Sequence, residues 1–227
     1  MANQTCYMCD APSTSVDHAP PRCLFPENKD LLIEDKSLNF RDQLITVPAC
    51  HEHNGKKSMD DEYLFCLLAM ALLSGKYGQL QSTTKVLRIL KRKPALLAKV
   101  LEKVSPAYIK DLQTGKISET IALEIEHDRI NSSLESCARA LFFNDFNHRF
   151  EGNIRVTPLF LSDIDPKFNA SVARLSSATD MLFKNIELKG NNPSIFTYRF
   201  RSDEYPNKIV LEMTFYEGAR ATAIFGV

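Results

Sequence analysis

The sequence predicts an α+β protein: a loop-rich N-terminal module, a helical middle and a C-terminal antiparallel β meander. Three observations predict it. The first 60 residues hold four of the six cysteines, three of the five histidines and five of the eleven prolines, with little helical periodicity. From about residue 80 to 150, apolar side chains recur at helical spacing. After Gly190-Asn191-Asn192-Pro193 come three strand-like runs, Ile195 to Arg201, Lys208 to Tyr216 and Ala219 to Val227. The boundary is expected between 75 and 76, giving a module of 1–75 and a helical-plus-sheet region of 76–227.

In the module, Leu44, Ile45, Thr46 and Val47 predict a strand closed by Pro48. A helix is expected from Ser58 as its cap, with Asp60, Asp61 and Glu62 at the positive end of the dipole. Its apolar run, Leu64 to Leu72, covers several sides and continues to Gly75. In the middle, Pro94 and Pro106 each mark a first helical turn, the latter after Ser105. Ser118 opens a long helical segment carrying Ile117, Ile121, Ile125, Leu134, Ala138 and Leu141. Ile154 to Leu161 reads as a strand and Pro166 to Phe183 as a helix. Glu217-Gly218 predicts a tight hairpin turn.

Composition narrows the class. Apolar content of 44% and charged content of 25% suit a globular chain. No apolar run is long enough to span a membrane, and Met1 to Cys9 lacks the pattern of a signal peptide. A cytoplasmic location is expected. With 28 basic and 28 acidic residues, the chain does not coat nucleic acid by bulk charge. In the cytosol, six cysteines do not predict a disulfide framework, so their spacing matters.

Cys6-Tyr-Met-Cys9 is a C-x-x-C pair and Cys50-His-Glu-His53 a C-x-x-H pair. Two such pairs match a tetrahedral structural zinc site, because a two-residue spacer lets both side chains face one ion. His51 is a rival to His53, but adjacency to Cys50 is a poor spacing. Cys23, beside Leu24 and Phe25, reads as a small buried apolar residue, and so do Cys66 and Cys137.

Between the pairs lie Asp17-His18; directly after the second comes Asn54, then Gly55, Lys56 and Lys57. Phosphodiester hydrolysis needs a base for water and a divalent cation to neutralise developing charge. His18 titrates near neutrality and suits the base. Asp17 points to the other side of an extended backbone, and Asn54 is fixed by its zinc-bound neighbour. Together they offer two oxygen ligands to Mg2+ or Mn2+. Lys57 or Lys56 would hold a flanking phosphate.

The order C-x-x-C, Asp-His, C-x-x-H-Asn resembles the zinc-bearing subgroup of the HNH (ββα-metal) endonucleases. It is similar to phage Holliday-junction-resolving endonucleases, which have C-x-x-C, Asp-His, then C-x-x-C-Asn. Asp-His-Ala-Pro-Pro-Arg-Cys-Leu-Phe-Pro followed by Leu-Ile-Thr-Val-Pro-Ala-Cys also resembles stand-alone bacterial and phage HNH proteins. The resemblance covers roughly residues 4 to 62. It implies a β-hairpin then a helix, His18 as general base on the first strand, and one divalent cation on Asp17 and Asn54. Two departures stand out. His53 replaces a usual cysteine, and the residue that orients His18 is either Asn39 or Gln43.

The expected function is hydrolysis of DNA by a metal-dependent endonuclease, in phage defence, restriction or recombination. The alternative is a non-catalytic zinc module that binds nucleic acid or a protein partner. Lys85, Arg88, Lys91, Arg92, Lys93, Lys99 and Lys103 form either a DNA-tracking face or an ordinary solvated one. The region 76–227 would serve recognition, regulation or oligomerisation. Tyr198, Arg199 and Arg201 read as strand residues, and His127 and His148 as structural or surface residues.

Overall fold

Val16 is 58% exposed and its neighbour Asp17 only 4%. That alternation marks β1 (Ser15–His18), which pairs antiparallel with β2 (Thr46–Ala49), Asp17 opposite Val47 and His18 opposite Thr46. Pro48 lies within β2 and does not end it; a two-stranded ribbon tolerates proline because one side of each strand is an edge. Its carbonyl accepts from the Tyr7 N–H at 2.8 Å. The computed structural model describes residues 5–55, 57–94, 98, 103–110, 114–202 and 208–226.

Two helices follow β2, α1 (His51–Gly55) and α2 (Ser58–Met70). Lys57, not Ser58, is the N-cap of α2, and Ser58 Oγ donates back to Gly55 O at 3.5 Å. Asp60 and Asp61 occupy the first turn, where the dipole favours them. Leu64, Phe65, Leu67, Leu68 and Ala69 are buried, as the broad apolar run requires. The helix stops at Met70, short of Gly75. The Ala71 N–H and the Ser74 hydroxyl both turn back to the Leu68 carbonyl and satisfy it. Next come α3 (Lys76–Gln81) and α4 (Leu87–Arg92), joined through a π-turn at 82–86.

The middle departs from expectation. Residues Val104–Lys110 and Ile117–Leu123 form a hairpin, β3 and β4, where helix was expected. Ile117, Ile121 and Ile125 are four residues apart, a spacing compatible with both the helical and the strand period. The β-branched Val104, Ile109, Ile117, Thr120 and Ile121 favour the strand. Gly115, at φ +70°, adopts the left-handed backbone between the strands. Pro106 therefore sits in a strand, opposite Ile121. The helix begins later, as α5 (His127–Phe146), and ends on Asn147 in the left-handed conformation.

The C-terminal region is a five-stranded antiparallel sheet in the order β5-β9-β8-β7-β6. Its strands are β5 (Ile154–Pro158), β6 (Lys189–Asn192), β7 (Phe196–Ser202), β8 (Ile209–Phe215) and β9 (Ala219–Phe225), with α6 (Pro166–Leu182) before β6. Asp165 caps α6 by accepting from the Lys167 N–H, with Pro166 at the first helical position. The short edge strand β6 falls where the sequence reads as a break. Gly190 makes it possible, since a Cβ there would lie 2.6 Å from the Phe196 carbonyl. The β8–β9 turn holds the expected Glu217-Gly218 and one residue more, Tyr216; Tyr216 and Glu217 carry φ of 48° and 64°.

Helix α5 is the centre of the molecule. It packs against α2 on one side and against β2, β5 and β9 on others. Ile130, Leu134, Ala138 and Leu141 are fully buried along it. Opposite them, β9 presents Ala219, Ala221 and Ala223, whose small side chains allow close approach. One apolar cluster thus runs from Tyr7 and Leu24 to Phe225 and crosses the boundary expected at 75/76. Among the described residues no helix is long and apolar enough to cross a membrane.

Candidate functional site

The first knuckle is shaped by its own backbone. The Cys6 N–H bonds the Ala11 carbonyl, and the Met8 N–H donates to Cys6 Sγ at 3.4 Å. Tyr7 ties it to β2. The second knuckle is the junction of β2 and α1, so Cys50 and His53 arrive on the same turn. The Sγ atoms of Cys6, Cys9 and Cys50 and the His53 ring nitrogen all lie within 4.8 Å of one another.

The distances fit a tetrahedral ion. Zinc–sulfur and zinc–nitrogen bond lengths imply edges of about 3.8 Å between sulfurs and about 3.5 Å from sulfur to nitrogen. Cys9 Sγ and Cys50 Sγ are 3.9 Å apart. His53 Nδ1 lies 3.6 Å from Cys6 Sγ, 3.4 Å from Cys9 Sγ and 3.3 Å from Cys50 Sγ. The His53 backbone N–H, hydrogen-bonded to Cys50, brings that thiol down to about 7, favouring the thiolate a metal requires. These four residues are arranged to hold a metal ion, and three thiolates with one imidazole are consistent with structural zinc.

The rejected candidates lie elsewhere. His51 is exposed and outside the cluster. Cys23 donates to the Asp61 carbonyl at 3.5 Å, and burial pushes its thiol up to about 12. Cys66 is likewise raised to about 12 by burial, and Cys137 is fully buried in α5.

His18 ends β1 and is half-buried. Burial, then the positive charge of Arg22, lower its pKa, and Lys57 adds to the effect against the opposing pull of Asp17. The shift favours the neutral imidazole over the imidazolium. Among the described residues no side chain hydrogen-bonds its ring. Asn39 instead accepts from the Arg41 N–H and donates to Asp42, and Gln43 is a left-handed residue at φ 53°. Neither orients His18 here.

Asn54 clamps α1 onto β1. Its Nδ2 donates to Ser15 Oγ at 2.9 Å and to the Val16 carbonyl at 3.1 Å. Both donor hydrogens are thereby used, which leaves Oδ1 as the group able to accept a cation.

Asp17 and Lys57 differ from expectation. Asp17 points inward, where Oδ1 accepts from the His18 N–H at 2.8 Å and Oδ2 from the Tyr7 hydroxyl at 2.9 Å. Lys57 Nζ lies 2.6 Å from the same Oδ2 and 3.7 Å from Asp61. Lys57 is therefore an internal counter-ion and does not face a phosphate. Burial works against its ammonium, but Asp61 and Asp17 outweigh burial and raise its pKa. In this arrangement Asp17 does not fit a divalent cation, because its oxygens are committed and an ammonium stands on one of them. Asp61 completes the network, accepting from Ser133 of α5 at 3.1 Å. Tyr7 and Asp61 were not singled out in the sequence. Their signal is weak: one is a spacer within C-x-x-C, the other an ordinary first-turn acid.

The basic region is largely consumed by the fold. Lys85 is buried and donates to the Cys23 carbonyl at 2.6 Å. Arg88 pairs with Asp30, Lys93 with Glu62, and Lys103 with Glu124. Lys91 and Arg92 are exposed; Lys99 and Lys56 lie outside the described residues. Tyr198 donates to Asp145, Arg199 pairs with Glu212, and Arg201 donates to the Leu182 carbonyl, as sheet residues do. His127 opens α5, and His148 packs edge-on against Phe142.

No family model, curated protein or solved structure matches this chain.

Proposed function

We propose that the chain is an HNH-type endonuclease that hydrolyses DNA, dependent on Mg2+ or Mn2+, with structural zinc on Cys6, Cys9, Cys50 and His53. One relationship supports it. The metal-ligand turn carries Asn54 directly after His53, and Asn54 is hydrogen-bonded to the strand that ends in His18. Zinc thereby fixes the position of a neutral imidazole beside Arg22, at the mouth of β1.

His18 takes a proton from water, a role suited to a base that is unprotonated at neutral pH. Arg22, exposed and close enough to lower the His18 pKa, adds positive charge beside that imidazole. Asn54 Oδ1 would be one oxygen donor for the divalent ion and Asp17 a second, and the ion would supply charge to neutralise the phosphate and the leaving oxygen. Its binding at Asp17 requires Lys57 to leave Oδ2.

Plasmid nicking with Mg2+ or Mn2+, on wild type and His18→Ala, tests the proposal. The expected loss in His18→Ala is about 10²- to 10⁴-fold, with zinc content unchanged. Equal nicking by both chains refutes it.

The Lys57–Asp17 ion pair favours a second reading, a non-catalytic zinc module that binds nucleic acid or a protein partner. Zinc-loaded wild type in which nicking is absent with every divalent cation would support that reading.

A further inference from the structure

The long connection between β1 and β2 folds into a cleft of about 610 Å³, open to solvent. Its lining includes Arg22, Asn28, Lys29, Leu38, Asn39 and Arg41. The volume lies within the range of small-ligand sites, roughly 300–1,000 Å³. Two acids, Glu27 and Asp42, share the wall. Both are engaged: Glu27 by Lys29 and by Arg41 at 3.2 Å, Asp42 by Asn39 at 2.6 Å.

Arg41 is part of the wall itself, donating through two nitrogens to the Phe25 carbonyl at 3.2 and 3.3 Å. Arg22 is different. It is exposed, and its guanidinium makes no hydrogen bond or ion pair with a described residue, while its carbonyl accepts from the Phe25 N–H. It follows His18 by four residues and adds positive charge beside it. Leu38, 43% exposed, offers an apolar face in an otherwise polar cleft.

We propose that this cleft is a nucleotide subsite, in which Arg22 binds a DNA phosphate next to the one at His18 and Leu38 packs against the attached base or sugar. A cation paired with an exposed apolar side chain suits a nucleotide better than a simple inorganic anion. The proposal rests on the nuclease reading only for the identity of the anion.

The test is fluorescence anisotropy of a fluorescein-labelled single-stranded DNA ten-mer, without added divalent cation, over a range of salt. Arg22→Gln is expected to weaken binding about tenfold at low salt and to reduce the salt slope by about 0.7, the value of one single-strand phosphate contact. Leu38→Glu places a carboxylate in the cleft and weakens binding by a similar factor. Lys184→Gln, at an exposed position after α6, binds as wild type does. Both cleft residues are exposed, so circular dichroism should show the wild-type fold in each variant.

Wild-type affinity in Arg22→Gln and Leu38→Glu, an equal loss in Lys184→Gln, or no binding by wild type overturns the subsite. Failure of the subsite and failure of the nuclease are separable. Nicking with cleft-independent binding removes only the subsite. Arg22-dependent binding without nicking by any cation removes only the nuclease.

Discussion

Lys57 Nζ and Asp17 Oδ2 are 2.6 Å apart in the interior, and Asp61 lies 3.7 Å from the same ammonium. A charge inserted between two buried carboxylates ties α2 to β1. Ser133 extends the link to α5 and Tyr7 to the first metal knuckle.

Lys57→Met removes the cation and leaves Asp17 and Asp61 facing each other out of water. Breaking a buried pair on one side costs about 3–5 kcal/mol. Urea unfolding should show that loss with an unchanged m-value. A chain as stable as wild type would mean that the ammonium has no structural part.

Asp61 gives a pH signature. Burial, reinforced by the charge of Asp17, raises its pKa from 3.8 to about 6, against the attraction of Lys57. The folded state therefore binds a proton that the unfolded state has released. The associated stability is fully present below about 3.8 and is lost as pH rises through about 6. A shift of this size corresponds to up to about 3 kcal/mol. Asp61→Asn mimics the protonated acid and lacks this loss. Its stability relative to wild type should improve between about pH 5 and pH 7 in urea titrations. Taking the difference between the two chains cancels any proton-linked metal loss they share. A flat difference would contradict the assignment.

The metal cluster predicts one zinc ion per chain by elemental analysis, and none after Cys9→Ser or Cys50→Ser. Because the knuckle is loop-rich, metal binding supplies its folding energy. Chelation should abolish cooperative unfolding of the N-terminal module, seen as lost near-ultraviolet signal from Tyr7. Full zinc occupancy in Cys50→Ser would exclude that residue as a ligand.

Tyr216 donates to the Leu24 carbonyl at 2.6 Å and accepts from Gln81 at 2.7 Å, all within the core. Tyr216→Phe removes the hydroxyl and should destabilise by about 1–3 kcal/mol, measured by thermal or urea unfolding.

The ligand set Cys6, Cys9, Cys50 and His53 was legible because coordination imposes a spacing that sequence displays directly. Helix α2 was legible from the length of its apolar run and the acids of its first turn, and strands β7, β8 and β9 from their alternation between turn residues. The β3–β4 hairpin was not, since isoleucines four residues apart satisfy two periods at once. The part played by Lys57 was also hidden. It follows Asn54 by three residues, which invites a shared role, but its ammonium lies inward on Asp17 and Asp61. The same holds for Lys85 and Arg88. Their basic character is visible in sequence, whereas the carbonyl and the carboxylate that neutralise them are about 60 residues away.

The Leu24 carbonyl has a consequence for the order of assembly. Its hydroxyl partner is 192 residues later in the chain. During synthesis the Gln81 amide, which donates to the same carbonyl at 2.6 Å, is available long before the hydroxyl, so the carbonyl has only half of its cover until translation passes Tyr216. The N-terminal residues thus complete their packing only when nearly all the rest of this sequence has been made.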